Sequence, residues 1–189
     1  MHKLSMPINF ISINEGNMNE YLYWLKKCKA DRVFLCGLGN VYQETAFLKT
    51  NTQNVKNVID FFKQNGLEVG VWIDGFGHGA TLFGADGENP KTYTQIEGVD
   101  GKVSEHAFCP EDEEFTKDYC DAIKLLASLN PDLIMLDDDF RINVRSYYYT
   151  MGCFCEKHLK IYYELLGEEV PRDKIKELAF TGESQVPPA

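Results

Sequence analysis

Two rhythms of apolar and polar positions alternate along this chain. Short, nearly continuous apolar runs recur at Ile8–Ile13, Arg32–Leu38, Leu67–Ile73 and Leu133–Leu136. Runs of this length suit strands that are buried on both faces. Between them, apolar residues fall three and four apart. Met18–Ala30 carries Tyr21, Leu22, Leu25 and Cys28 on one face, and Asn51–Asn65 carries Val55, Val58, Ile59 and Phe62. Glu111–Leu129 carries Tyr119, Ile123 and Leu126. This spacing predicts three amphipathic helices. Gly66 stops the second, and Asn130-Pro131 breaks the third, whose first turn is acidic as the helix dipole prefers. A fourth helix is expected from about Cys153 to Leu166.

The order is therefore βαβαβαβα, which predicts an α/β fold with a parallel sheet covered by helices. A long Gly-rich polar insertion, Phe76 to Pro110, follows the third strand, and its Tyr93–Val103 part reads as a small hairpin. Two architectures fit: an open doubly wound sheet, or the first four βα units of a TIM-type barrel, left incomplete. No Gly-x-Gly-x-x-Gly follows the first strand and no Gly-x-x-x-x-Gly-Lys occurs anywhere, although nucleotide-binding open sheets usually carry one. The long loop after strand three and the acidic strand ends favour the incomplete barrel. One domain is expected over residues 1–181, followed by a disordered tail at 182–189.

Composition narrows the partners. Apolar residues make up 44% and charged residues 25%, so an ordinary packed core is expected. The formal net charge of −10 argues against nucleic acid and anionic membranes, whose binding relies on clustered Lys and Arg. No run approaches the ~20 apolar residues of a membrane span. The first residues lack the apolar stretch and cleavage site of a signal peptide, so a cytoplasmic location is expected. The six cysteines are then reduced thiols, and their spacing bears on metal or chemistry rather than on disulfides.

The densest chemistry lies at Asp137, Asp138 and Asp139, directly after the fourth apolar run. In parallel α/β proteins, strand tips of this kind carry active sites. Alternation gives Asp137 and Asp139 one direction and Asp138 the other. A carboxylate above a barrel axis can act as general acid/base or bind a sugar hydroxyl, with Arg141 close by to offset the repulsion. Asp74 closes the third strand as a candidate substrate ligand, and Trp72 is a candidate stacking platform for a sugar face. His78 lies on the long loop as a further candidate for the site, and Tyr147-Tyr148-Tyr149 offers a further wall. The bland readings are a solvated acidic loop, a turn Asp before Gly75 and a core Trp. The triplet also fits a hard cation such as Mg²⁺, which would make a metal-dependent hydrolase.

Cys153-x-Cys155-x-x-His158 places three soft or borderline ligands within six residues where a loop enters a helix. Cys109 is the best fourth ligand, because neighbouring strand ends lie side by side in a barrel. A closed Cys3His set is a structural zinc site, since no coordination position stays open. Cys28, Cys36 and Cys120 occupy apolar positions and are expected in the core.

Cys-Pro after strand three, an acidic tip on strand four and Cys-x-Cys-x-x-ligand at the next helix together resemble the β-galactosidase family 42 of glycoside hydrolases and related uncharacterised barrel proteins. The resemblance covers roughly Pro7 to Leu166. It implies a barrel whose structural zinc falls on Cys109, Cys153, Cys155 and His158, with His replacing the last Cys. The family places Asn-Glu at the tip of strand four, with Glu as the acid/base; here Asp137, Asp138 and Asp139 stand there. Its nucleophile comes from strand seven, which this chain does not contain. The resemblance thus implies a carbohydrate ligand, and hydrolysis only once a second half-barrel or partner chain supplies the other carboxylate. The rival expectation is a non-catalytic half-barrel or assembly module that self-associates through its open sheet edges.

Overall fold

The apolar runs form the strands of a four-stranded parallel sheet in the order β1-β2-β3-β6, so the chain is an α/β protein. In this computed structural model, residues 2–38, 47–73, 93–137 and 152–179 are described. The elements are β1 (Ser5–Asn9), α1 (Met18–Lys27), β2 (Arg32–Cys36), α2 (Phe47–Thr50), α3 (Thr52–Gln64) and β3 (Glu68–Ile73). They continue with β4 (Gln95–Glu97), β5 (Val103–Phe108), α4 (Glu113–Ser128), β6 (Leu133–Leu136), α5 (Glu156–Leu166) and α6 (Arg172–Ala179). Two compact units result: Met1–Asp74 with Asp118–Asp137, and Gly75–Lys117 with Asp138–Ala189.

Residues paired in a parallel ladder share a face, so the register divides the first unit's sheet in two. Ile8, Leu35, Val71 and Ile134 are in register, with Val33 paired to Val69 and Ile73 to Leu136. On this face Val33, Leu35, Val69, Val71 and Ile73 are essentially inaccessible to solvent. The stripe Val55, Val58, Ile59 and Phe62 of α3 is equally buried, as its spacing predicts. Covering such a stripe stabilises by roughly 1.5–3 kcal/mol per large side chain. The opposite face is more open. It carries Pro7 and Asn9 of β1, Phe34 and Cys36 of β2, Gly70 and Trp72 of β3, and Leu133 and Met135 of β6. Strand β6 has no buried residue, and Leu133 and Leu136 are 39% and 41% exposed.

Several expectations are corrected. The first strand ends at Asn9, and Phe10–Ser12 forms a 3₁₀ turn. The cause is local: the Asn9 side chain accepts the Ile11 N–H at 3.1 Å, giving the backbone an alternative to the ladder. Pro7 is tolerated because β1 is an edge strand. The hairpin lies further along the chain than expected: β4 pairs antiparallel with β5, which runs on to Phe108. Cys28 and Cys120 are exposed and Cys36 is half-buried, so these thiols are not core residues. Helix α6 was not expected, because it is short and mostly polar, with Ile175, Leu178 and Ala179 as its apolar positions among eight residues.

The second unit has its own small core. Tyr93, Phe108 and Phe115 meet with ring centroids 5.0–5.5 Å apart, in edge-on and tilted contacts that aromatic rings favour. Beside them Ile96, Ala107, Cys109, Cys153 and Cys155 form a buried cluster. No described helix is long and apolar enough to cross a membrane.

Candidate metal centre

Cys109 follows β5 immediately, and its N–H donates to Thr94 O at 2.7 Å, which continues the hairpin past the strand end. The 152–155 segment is fastened to the same hairpin, with Phe154 N–H donating to Glu97 O at 2.7 Å. Arg172 of α6 completes the attachment: it pairs with the Glu97 carboxylate and donates to Phe154 O at 2.8 Å. Cys155 then stands at the N-cap position of α5, and His158 in the first turn. Two chain segments, remote in sequence, are thereby brought to one point.

At that point the Sγ atoms of Cys109, Cys153 and Cys155 and a ring nitrogen of His158 lie within 4.8 Å of one another. Cys109 Sγ is 3.6 Å from Cys155 Sγ and 3.3 Å from His158 Nδ1, and Cys155 Sγ is 3.5 Å from the same nitrogen. Tetrahedral zinc with ~2.3 Å bonds to sulfur sets its ligand atoms about 3.5–3.8 Å apart. The donor set and its size therefore fit one metal ion. The three thiols are buried and His158 is half-buried, as in a closed site.

The electrostatics favour thiolate at one of the three positions, Cys153. The hydrogen bond from the Cys109 thiol pulls Cys153 down to about 5 against its burial, aided by the backbone N–H groups of Cys155 and Glu97. The same bond, with burial, pushes the Cys109 thiol far up. Burial also raises Cys155. The positive N-terminal end of α5 adds to the attraction for negative sulfur. A dication with three thiolates and a neutral imidazole carries one net negative charge, which that helix end also favours.

Asp112 supports the centre and was not singled out from sequence. It is 7% exposed. Its carboxylate accepts from Phe115 N–H at 2.9 Å, and from Thr94 N–H at 2.9 Å and Thr94 Oγ1 at 2.7 Å. Lys157 Nζ lies 3.5 Å away. Burial alone would raise its pKa, but these bonds outweigh it and hold the carboxyl at about 2. The signal was available in the sequence: Asp after Pro110-Glu111 and just before a helix is a helix-capping pattern.

The sheet-tip candidates divide differently. Asp137 lies directly after β6, with its N–H donating to Ile73 O at 3.1 Å, so the ladder runs one step beyond the strand. Alternation puts Asp137 on the open face with Met135, and the register puts Trp72 there too. Trp72 is half-buried, not a core residue. Asp74, His78, Asp138, Asp139, Arg141 and Tyr147-Tyr148-Tyr149 lie outside the described residues, as does the tail at 182–189.

No protein-family model and no curated protein matches the chain. Among solved structures it is similar to the crystal structure of a hypothetical protein from Ruminiclostridium thermocellum ATCC 27405. The TM-score is 0.52 at 12% identity, over 87% of this chain and 89% of that one. That likeness is one of fold.

Proposed function

We propose that this chain forms the first four βα units of a glycoside-hydrolase-like barrel, built around a structural zinc ion and taking a carbohydrate at the C-terminal edge of its sheet. The observation that carries the reading is the Cys3His cluster: four residues from two remote segments converge with a donor set and spacing suited to zinc. Zinc bound there has no open position, so it would stabilise the second unit and take no part in chemistry.

The strand order supports the barrel half of the reading. With right-handed crossovers, strands added in one direction send every connecting helix to the same face. That would cover one face, which over β2 and β3 is fully buried, and leave the other for a barrel interior; Trp72 and Met135 on that side are half-buried. A barrel uses such a face as its interior. In this reading Asp137 and its neighbours Asp138 and Asp139 supply an acid/base or bind a sugar hydroxyl, and Trp72 stacks on the sugar. Asp74, Arg141 and His78 position the substrate. Cleavage needs a second carboxylate ~5–9 Å away, from further βα units or a partner chain docked on the open edges. Reduced metal-bound thiols suit a cytoplasmic setting.

The deciding experiment is the zinc content of the purified chain, prepared without added metal, measured beside Cys155→Ser. One zinc per chain, lost in the variant, is expected. A folded, metal-free parent chain would overturn the reading, because it would remove the one specific feature the family resemblance rests on.

A further inference from the structure

A cleft of about 400 Å³ opens in the first unit between the turn after β1 and the N-terminal half of α3. Its size falls within the roughly 300–1,000 Å³ of small-ligand sites. The polar lining is dominated by amides, with Asn14 on one wall and Asn51, Asn54 and Asn57 on the other, joined by Glu15. The floor is apolar: Phe10, Ile13 and Val58 are each at most 8% exposed. Ile11 stands at the rim, 67% exposed.

Residues three apart on a helix lie on one side, so Asn51, Asn54 and Asn57 form a row. Helix stability does not account for that row. Asn is a poor helix former, costing about 0.5 kcal/mol against Ala in an interior turn. Asn51 stands at the N-cap but makes no capping bond with its side chain. Its amide instead faces its neighbours: it donates to Thr50 Oγ1 at 3.0 Å, and Asn54 Nδ2 lies 3.5 Å from its Oδ1. Asn57 Oδ1 accepts from Gln53 at 2.8 Å. On the opposite wall Asn14 is fixed by the turn, its Oδ1 accepting Gly16 N–H at 2.9 Å and its own N–H donating to Asn17 Oδ1 at 2.8 Å.

We infer that this cleft binds a neutral polyhydroxylated ligand, of the class of a monosaccharide or one unit of an oligosaccharide. A carboxamide both donates and accepts, and so does a hydroxyl, so a row of amides matches adjacent hydroxyls on a ring. The apolar floor matches the C–H face of that ring. Glu15 and the net charge of −10 oppose an anion, and one carboxylate among four amides is a poor cage for a cation. The inference uses no ligand of the candidate metal centre and does not use Asp137, which belongs to the same unit as the cleft.

The test is a titration of the full chain with galactose and with glucose, following the side-chain NH2 signals of Asn14, Asn51, Asn54 and Asn57 by NMR. Saturable shifts of these signals are expected, with a dissociation constant on the order of millimolar. They should weaken at least about fivefold in Asn54→Ala with Asn57→Ala, a loss of about 1 kcal/mol. Both positions are exposed and Ala is the better helix former, so the variant keeps its fold. Asn14→Ala, on the other wall, should weaken binding independently. Unmoved asparagine signals with both sugars would overturn the inference, as would shifts that persist in the variants. A response to inorganic phosphate in place of the sugars would also overturn it. Shifts confined to the Trp72 indole would overturn this site while supporting the one at the sheet edge.

Discussion

Phe34 and Gly70 are direct partners across the β2–β3 ladder, and the Phe34 ring covers the place where a Cβ on Gly70 would stand. The two residues share the open face of the sheet, where the ring lies flat over the neighbouring strand because nothing projects from it. A glycine inside a strand usually weakens it, so its presence marks a close approach of this kind.

Gly70→Ala should therefore destabilise the first unit by about 1–3 kcal/mol, because the added methyl meets a ring that is itself only 8% exposed. Urea denaturation of Gly70→Ala, Phe34→Leu and the double variant checks it. The smaller side chain should recover much of the loss, giving a coupling between the sites. Simple additivity would mean that the ring is free to move aside.

Asp132 fixes β6 to β3. Its Oδ2 accepts Val69 N–H at 2.8 Å, its own N–H donates to Val69 O at 2.7 Å, and Lys63 Nζ lies 2.9 Å from Oδ1. Asp132→Ala should cost about 1–2 kcal/mol by leaving the Val69 N–H without this acceptor. The loss should show as faster amide exchange along Leu133–Leu136. Unchanged exchange there would mean that the backbone ladder alone holds the strand.

Asp112 gives the second unit a predictable response to acid. Its folded value of about 2 lies below the ordinary carboxylate value of ~3.9. The ionised group thus contributes stability that is complete above the unfolded value and lost as pH falls towards about 2. The contribution is on the order of 2 kcal/mol. Melting curves between neutral pH and acid should show this decline in the parent chain and a flatter profile in Asp112→Ala. The variant should already be less stable at neutral pH.

Metal removal should act on one unit. Treatment with a chelator is expected to speed amide exchange at Phe154, His158 and Leu159 by roughly tenfold or more. Val69 and Val71, in the sheet of the other unit, should keep their protection. Equal acceleration in both units would argue against a role confined to the second.

The sequence made some of this legible and hid the rest for identifiable reasons. Strands β2, β3 and β6 stand out as short unbroken apolar runs, although β6 itself holds no buried residue. Helix α3 stands out because Val55, Val58, Ile59 and Phe62 hold one stripe. The Cys3His cluster was legible because three soft or borderline ligands fall within six residues, and Cys109 was reachable as the fourth by an argument from neighbouring barrel strands, whereas it follows β5 of the antiparallel hairpin. The end of β1 was not, since Phe10, Ile11 and Ile13 read as strand while a single side-chain bond from Asn9 turns the chain. Cys28 and Cys120 sit near apolar stripes but beyond the covered arc, a distinction of a fraction of a turn. Helix α6 has only eight residues, five of them charged, so its short Ile175, Leu178 and Ala179 stripe is easily passed over.

The ligands of the candidate centre come from both sides of a long excursion: Cys109 and Cys155 are 46 positions apart, and all of α4 and β6 lies between them. A metal ion there would act as a clasp on a closed ring of chain that includes a strand of the other unit's sheet. Closing a ring of that length removes about 4 kcal/mol of freedom from the unfolded chain, by analogy with a disulfide. Cutting the backbone once inside the ring would leave the two pieces joined while metal is bound. Adding a chelator would then let them part.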